Sequence, residues 1–368
     1  MQKIKSKDIS VIVQGAIDNE ETPKCLKSIR KFLPEAEIIL STWQNSDTNG
    51  LDFDILVLSE DPCSVTVEES KHQMFCNNIN RQLISTQEGL KNAARTYALK
   101  LRSDLILTNA DFLEYFDKFQ SKSKNYNLFK RKILVSDLFT RFNMKTNDRK
   151  RVKMPFHISD WWQFGLREDL ATYFLDTKPV EEPYFTNYFN LEENKHKDTP
   201  YRTHKFKFSP EQYFAYSCFN RNFEDIYMED ASDYSDELME KFRECIVNNF
   251  VVLEFKHSGI CLNKYPYCKY SKNERFLGDP YIGLYNFYRY ENEYKKYCDK
   301  NYTITASDSF FKNDKIAYNL LGIYKHIANL VDVKMPPAAR LEQLFIGIPL
   351  SVIRFFICIL KEKLKKRF

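Results

Sequence analysis

The chain has 368 residues, of which 43% are hydrophobic and 29% charged, a balance that excludes a disordered protein and leaves room for one large domain with an appendage. The formal net charge of +5 lies wholly in residues 340–368, where seven Lys and Arg stand against two Glu. The body is therefore net neutral, which argues against a nucleic-acid-binding protein.

Ile9-Ser-Val-Ile-Val-Gln-Gly15 reads as a buried first strand ending in a glycine. Residues 22–32 follow as a helix, with Thr22 as N-cap, Pro23 in the first turn and Cys25, Leu26, Ile29 and Phe32 on its apolar face. Residues 37–43 and 54–59 read as two further strands, and residues 78–94 as a long amphipathic helix. The next strand, from Tyr97, carries Lys100, Arg102 and Asp104 in an otherwise apolar run. Charges there are costly unless they sit at the strand end and have partners. Residues 132–136 read as a strand, 157–165 as a short strand or loop, 167–174 as a helix and 176–205 as a loop. Ser209-Pro210-Glu211-Gln212 starts another helix, with Ser209 as cap and Gln212 closing a capping box. A helix over 236–247 and a strand over 250–255 complete the body. Strands alternating with helices predict an α/β fold around a sheet.

After Pro336-Pro337 the chain changes character. Leu344–Leu360 is apolar on all sides, yet its 17 residues include Pro349 and Arg354, and a basic run follows to Phe368. A spanning helix needs about 20 residues. The expectation is a helical, amphipathic, basic segment over 336–368 that lies on an anionic membrane surface, after a domain over 1–335. The N-terminus runs straight into a strand without a signal peptide, and the nine Cys show no paired spacing, so a reducing cytoplasm is expected.

Four constellations carry candidate chemistry. Arg102-Ser103-Asp104 closes a strand after several α/β units, where open sheets bind ligands. It looks like a degenerate form of the Asp-x-Asp element with which GT-A glycosyltransferases hold a divalent metal, Mg²⁺ or Mn²⁺, and a nucleotide-sugar diphosphate. Asn80-Arg81-Gln82 precedes that strand, and an arginine fork suits phosphate. His157-Ile-Ser-Asp160-Trp161-Trp162 gathers a base, a carboxylate and two indoles. Glu211 places a carboxylate at a helix N-terminus, where it complements the dipole. His257, Cys261 and Cys268 have no usual zinc spacing. P-loop, Rossmann and serine-hydrolase glycine motifs do not occur.

These stretches, with Phe156-His-Ile-Ser-Asp-Trp161, Phe164-Gly165 and Pro210-Glu-Gln-Tyr213, resemble the WavE family of lipopolysaccharide and capsule synthesis proteins over about residues 8–255. The resemblance implies a GT-A-like nucleotide-sugar-binding sheet flanked by helices. It implies a glycosyltransferase that moves a sugar from a nucleotide-sugar donor to a bacterial surface glycan or glycolipid, on the cytoplasmic face of the inner membrane. On that reading Gln14, Gly15, Asn80, Arg81, Arg102 and Asp104 serve the nucleotide sugar, with Asp104 as metal ligand. Asp160 is then the first choice for general base and Glu211 the second, with His157 beside them and Trp161 stacked on acceptor sugar. Arg102 stands where the wider GT-A pattern has its first Asp. A sugar-phosphate transferase and a non-catalytic assembly protein on a transferase fold are the alternatives.

Overall fold

Runs of β-branched and apolar residues that alternate with amphipathic helices have one economical solution, a sheet covered on both faces. The computed structural model shows it, and describes residues 4–70, 73–145, 151–181, 206–231, 233–262 and 284–305, with Pro349 and Val352. Seven strands form the main sheet: β1 Ile9–Gln14, β2 Glu37–Trp43, β3 Ile55–Ser59, β4 Tyr97–Arg102, β5 Ile133–Ser136, β6 Trp162–Leu166 and β7 Phe250–Leu253. Their order across the sheet is 7-5-6-4-1-2-3. All neighbours are parallel except β6, which runs antiparallel to both β4 and β5. Every residue of β1 is buried, as a central strand requires, whereas the edge strand β3 leaves Leu56 and Leu58 exposed.

Six helices matter here: α1 Glu21–Phe32, α2 Ile79–Lys91, α3 Arg167–Phe174, α4 Pro210–Asn222, α5 Asp236–Asn249 and α6 Phe287–Tyr297. Helix α2 lies so close on β1 that a Cβ at Gly89 would stand 2.3 Å from Ile12 Cγ2. The aromatic residues fill both sides of the sheet. Tyr97, Phe112, Phe116, Trp162 and Phe164 form one ring cluster, and Phe129, Tyr173, Phe174, Phe219 and Phe250 belong to another.

Several local expectations are corrected. Helix α1 is capped by the Asp18 carboxylate, which accepts from the Glu20 and Glu21 amides at 2.9 and 3.0 Å, and Thr22 already lies inside the helix. Its Oγ1 accepts from the Asp18 amide instead, so the two side chains hold the turn from both sides. Ser209 does cap α4, accepting from the Gln212 amide at 3.2 Å. The capping box stays half-made: Gln212 turns its Nε2 to the Pro155 carbonyl, and its Oε1 accepts from no amide. The stretch read as a short strand or loop over 157–165 is both: residues 157–161 are loop, and a strand runs from Trp162. The hairpin Val65–Ser70/Gln73–Asn77, the pair Asn143–Lys145/Arg151–Lys153 and helix α6 were not legible as elements in the sequence.

The chain divides into two units, Met1–Thr303 and Ile304–Phe368. The expected tail over 336–368 and its boundary lie outside the described residues, apart from Pro349 and Val352. Among the described residues, no helix is long and apolar enough to cross a membrane.

Candidate active site

The strand order places the site. From β1 the chain adds β2 and β3 on one side, and β4 then returns to the other side of β1. Between the carboxyl ends of β1 and β4 the connections diverge, and such a switch point opens the crevice where α/β sheets bind ligands. Gln14 ends β1, and Gly15 turns the chain at φ +115°, with Ser103 Oγ 3.5 Å from where a Cβ would stand. Gln14 is buried, and its Oε1 lies 2.7 Å from Ser85 Oγ of α2. At the end of β4, Arg102 holds Asp104 by two bonds, Nε to Oδ1 at 3.0 Å and Nη2 to Oδ2 at 2.7 Å. The guanidinium also lies 4.5 Å above the Trp161 ring.

The antiparallel strand β6 starts at this same edge, since Trp162 pairs with Leu101. The loop before it therefore delivers His157, Asp160 and Trp161 beside the end of β4, and the start of α4 adds Glu211. Asp160 is 2% exposed, and neither carboxylate oxygen has a hydrogen-bond partner. Burial pushes its pKa up, opposed by the charges of Lys100 and Arg102. Glu211 keeps a side chain 16% exposed. Burial and then the Asp160 charge push its carboxyl up to about 7, against the pull of Arg141. Burial, with Arg141 nearby, holds the His157 imidazole well below its ordinary range. Nδ1–H of the neutral ring donates to the Phe139 carbonyl at 3.0 Å, because a carbonyl only accepts. That leaves the Nε2 lone pair 3.9 Å from Glu211 Oε2.

Three groups in this cluster were missed as site residues. Lys100, in the middle of β4, has no exposed surface and donates its ammonium to the Asp160 main-chain carbonyl. Burial lowers its pKa to about 8, and the Asp160 charge opposes that fall. Gln163, across from Lys100 on β6, and Gln212 each donate Nε2 to a main-chain carbonyl and keep a buried Oε1 without a partner. A charged residue inside an apolar strand was the available signal for Lys100. The glutamines gave none.

Other expected site residues are engaged elsewhere. Asn80 clamps the chain after α3, its Nδ2 donating to the Val180 carbonyl at 3.0 Å while the Val180 amide donates back to Oδ1 at 2.8 Å. Arg81 forks onto Asp61 at 2.7 and 2.6 Å. Trp161 is 6% exposed, with Arg102 over one face and Phe139 edge-on at 4.9 Å. The residues do not fit a divalent metal at Asp104. Both its oxygens are bound to Arg102, and no group of three His, Cys, Asp or Glu suited to a metal occurs among the described residues. Cys268 lies outside them.

The family described as WavE lipopolysaccharide synthesis matches residues 9–322 of the chain. No curated protein matches it. Among solved structures, the crystal structure of S. aureus TarS 1-349 is similar at 12% identity, covering 99% of this chain and 92% of that one with a TM-score of 0.27. That score carries neither fold nor activity across.

Proposed function

The chain belongs to the WavE lipopolysaccharide synthesis family, and from that premise we propose that it is a GT-A-like glycosyltransferase moving a sugar from a nucleotide-sugar donor to a bacterial surface glycan. The observation that carries this reading is a pair of carboxyls, buried Asp160 and partly exposed Glu211, at the sheet edge that also holds the switch point of β1 and β4. The nucleotide sugar lies over Gln14, Gly15 and the Arg102–Asp104 turn. Arg102 supplies positive charge where a leaving diphosphate develops negative charge. A carboxylate takes the proton of the acceptor hydroxyl as the new glycosidic bond forms and the bond to the diphosphate breaks.

The exposure of the two acids favours Glu211 for that role over Asp160, the first choice from sequence. Both Asp160 oxygens are closed to solvent, whereas Glu211 retains access and a pKa of about 7, close to the pH at which a general base works best. His157 Nε2 stands 3.9 Å from Glu211 Oε2, and the Asp160 charge opposes the ionisation of Glu211. The residues give no step to a metal. The basic tail, as proposed from sequence, keeps the enzyme peripheral on the cytoplasmic membrane face.

A thermal-shift screen of nucleotides and nucleotide sugars, followed by a transfer assay, tests the reading. A ligand at 100-fold its Kd stabilises the native state by about 2.7 kcal/mol. Glu211→Gln is expected to lower turnover on the order of 10²- to 10⁴-fold with nucleotide affinity unchanged. In the parent, turnover rises with pH through about 7 as Glu211 ionises. Absence of stabilisation by every nucleotide and nucleotide sugar refutes the proposal. A phosphodiester in the product makes the protein a sugar-phosphate transferase instead.

A further inference from the structure

Strand β5 runs antiparallel to β6, as β4 does, so Ser136 ends it at the edge that carries Asp104 and Glu211. The loop beyond it, residues 137–142, has no task in the transfer described above, yet it is firmly clamped. Thr140 is fully buried: its Oγ1 donates to the Ser136 carbonyl at 2.7 Å and accepts from the Ser159 amide at 3.0 Å. The Thr140 carbonyl accepts from the Tyr285 amide at 2.8 Å. The Phe142 ring lies 3.8 Å from the Arg289 guanidinium and 5.0 Å from that of Arg243. Leu138 is also buried, whereas the alternate residues Phe139 and Arg141 stay partly exposed. Both grip His157. The Phe139 carbonyl accepts from Nδ1, and the Arg141 amide donates to the His157 carbonyl at 2.9 Å. His157 Nε2 in turn stands 3.9 Å from Glu211 Oε2.

Arg141 is thereby set beside the proton acceptor, and its charge acts on both His157 and Glu211. Its guanidinium lies 5.2 Å from the Phe139 ring. Arg102 is braced in the same way on Trp161 at 4.5 Å, and the Trp161 and Phe139 rings meet edge to face at 4.9 Å. Each of the two guanidiniums is thus held over its own ring of one aromatic pair. Arg102 serves the donor diphosphate in the reading above. A second planar fork, beside Glu211, matches two oxygens of another phosphate or carboxylate.

We propose that Arg141 binds a phosphate or carboxylate carried by the acceptor glycan, so that an acidic acceptor is set with a hydroxyl toward Glu211. The acceptor role rests on the reading of Glu211 as proton acceptor, but the anion site itself does not. Donor and acceptor both bring negative charge to one sheet edge, and each then meets its own arginine.

The test measures binding of glucose 6-phosphate, glucuronate and glucose to the full-length protein by calorimetry, alone and with UDP. In the parent, at least one of the acids is expected to bind about tenfold or more tightly than glucose, the factor that a charge-assisted hydrogen bond supplies. UDP should leave the acid bound. Arg141→Gln should lose the preference for the acid and keep UDP affinity, while Arg102→Gln should weaken UDP and keep the preference. Arg141→Lys should retain part of it, because the charge stays and the fork is lost. Binding of glucose 6-phosphate without glucuronate supports a phosphorylated acceptor, and the reverse a carboxylated one. A parent that binds neither acid, or binds glucose as tightly, overturns the proposal without any variant having to fold. So does displacement of the acid by UDP, which makes the two arginines one anion site. An Arg141-dependent preference in a protein that binds no nucleotide supports the anion site and counts against the transferase reading alone. Nucleotide binding and transfer with no preference for acidic over neutral sugars leaves that reading standing and overturns this one.

Discussion

Glu211→Gln should make the protein more stable at alkaline pH while removing its activity. The carboxyl is pushed up from 4.5 to about 7 in the fold. Relative to the unfolded chain, stability is therefore fully present below pH 4.5 and lost as the pH rises through about 7. Above that, the native state holds a desolvated carboxylate beside Asp160, which the unfolded chain would hydrate freely. At about 1.4 kcal/mol per pH unit, a displacement of this size corresponds to roughly 3 kcal/mol, or roughly 5 °C in Tm for a unit of this length. Glutamine keeps the shape and cannot ionise. Urea unfolding of the parent and Glu211→Gln at about pH 5 and about pH 8 isolates the effect, because any packing change is common to both conditions. The variant should gain on the parent by roughly 2–3 kcal/mol between the two pH values. An equal stability difference at both would refute the reasoning, since Glu211 would then ionise alike in the folded and unfolded states.

Asp104→Ala should abolish transfer and leave the protein folded, at a cost of about 1–3 kcal/mol for the freed Arg102 fork, which keeps its contact with Trp161; unchanged turnover counts against its role in the donor site. Gly89→Ala should destabilise by about 1–3 kcal/mol in denaturant unfolding, because the added Cβ meets Ile12 at 2.3 Å; a neutral result means that α2 can lift from β1. Deleting residues 340–368 should release the protein from anionic vesicles at low salt, with activity on a soluble acceptor analogue retained. Retained vesicle binding puts the membrane contact elsewhere.

The strands were largely legible because each is a local pattern. Residues 9–14, 37–43 and 97–102 are apolar runs bounded by turn residues, and a central strand must be apolar on both faces wherever its partners lie. Helix α3 was legible for the same reason. Side-chain partnerships were not legible, because they join residues far apart in sequence. Nothing around Asn80 foretells Val180, and nothing around Arg81 foretells Asp61. Thr22 and Asp18 both satisfy the rule for a helix cap, and only the path of the preceding turn chose between them. The antiparallel insertion of β6 was decided by tertiary structure alone, and it reversed the direction in which the 157–161 loop meets the sheet. That reversal brings Asp160 over Lys100, and the dock of α4 adds Glu211. Proton affinities depend on burial and on charges a few ångströms away. The sequence could therefore name the acids at Asp160 and Glu211, while the fold alone set which of them is closed to water and which one holds its proton to about 7.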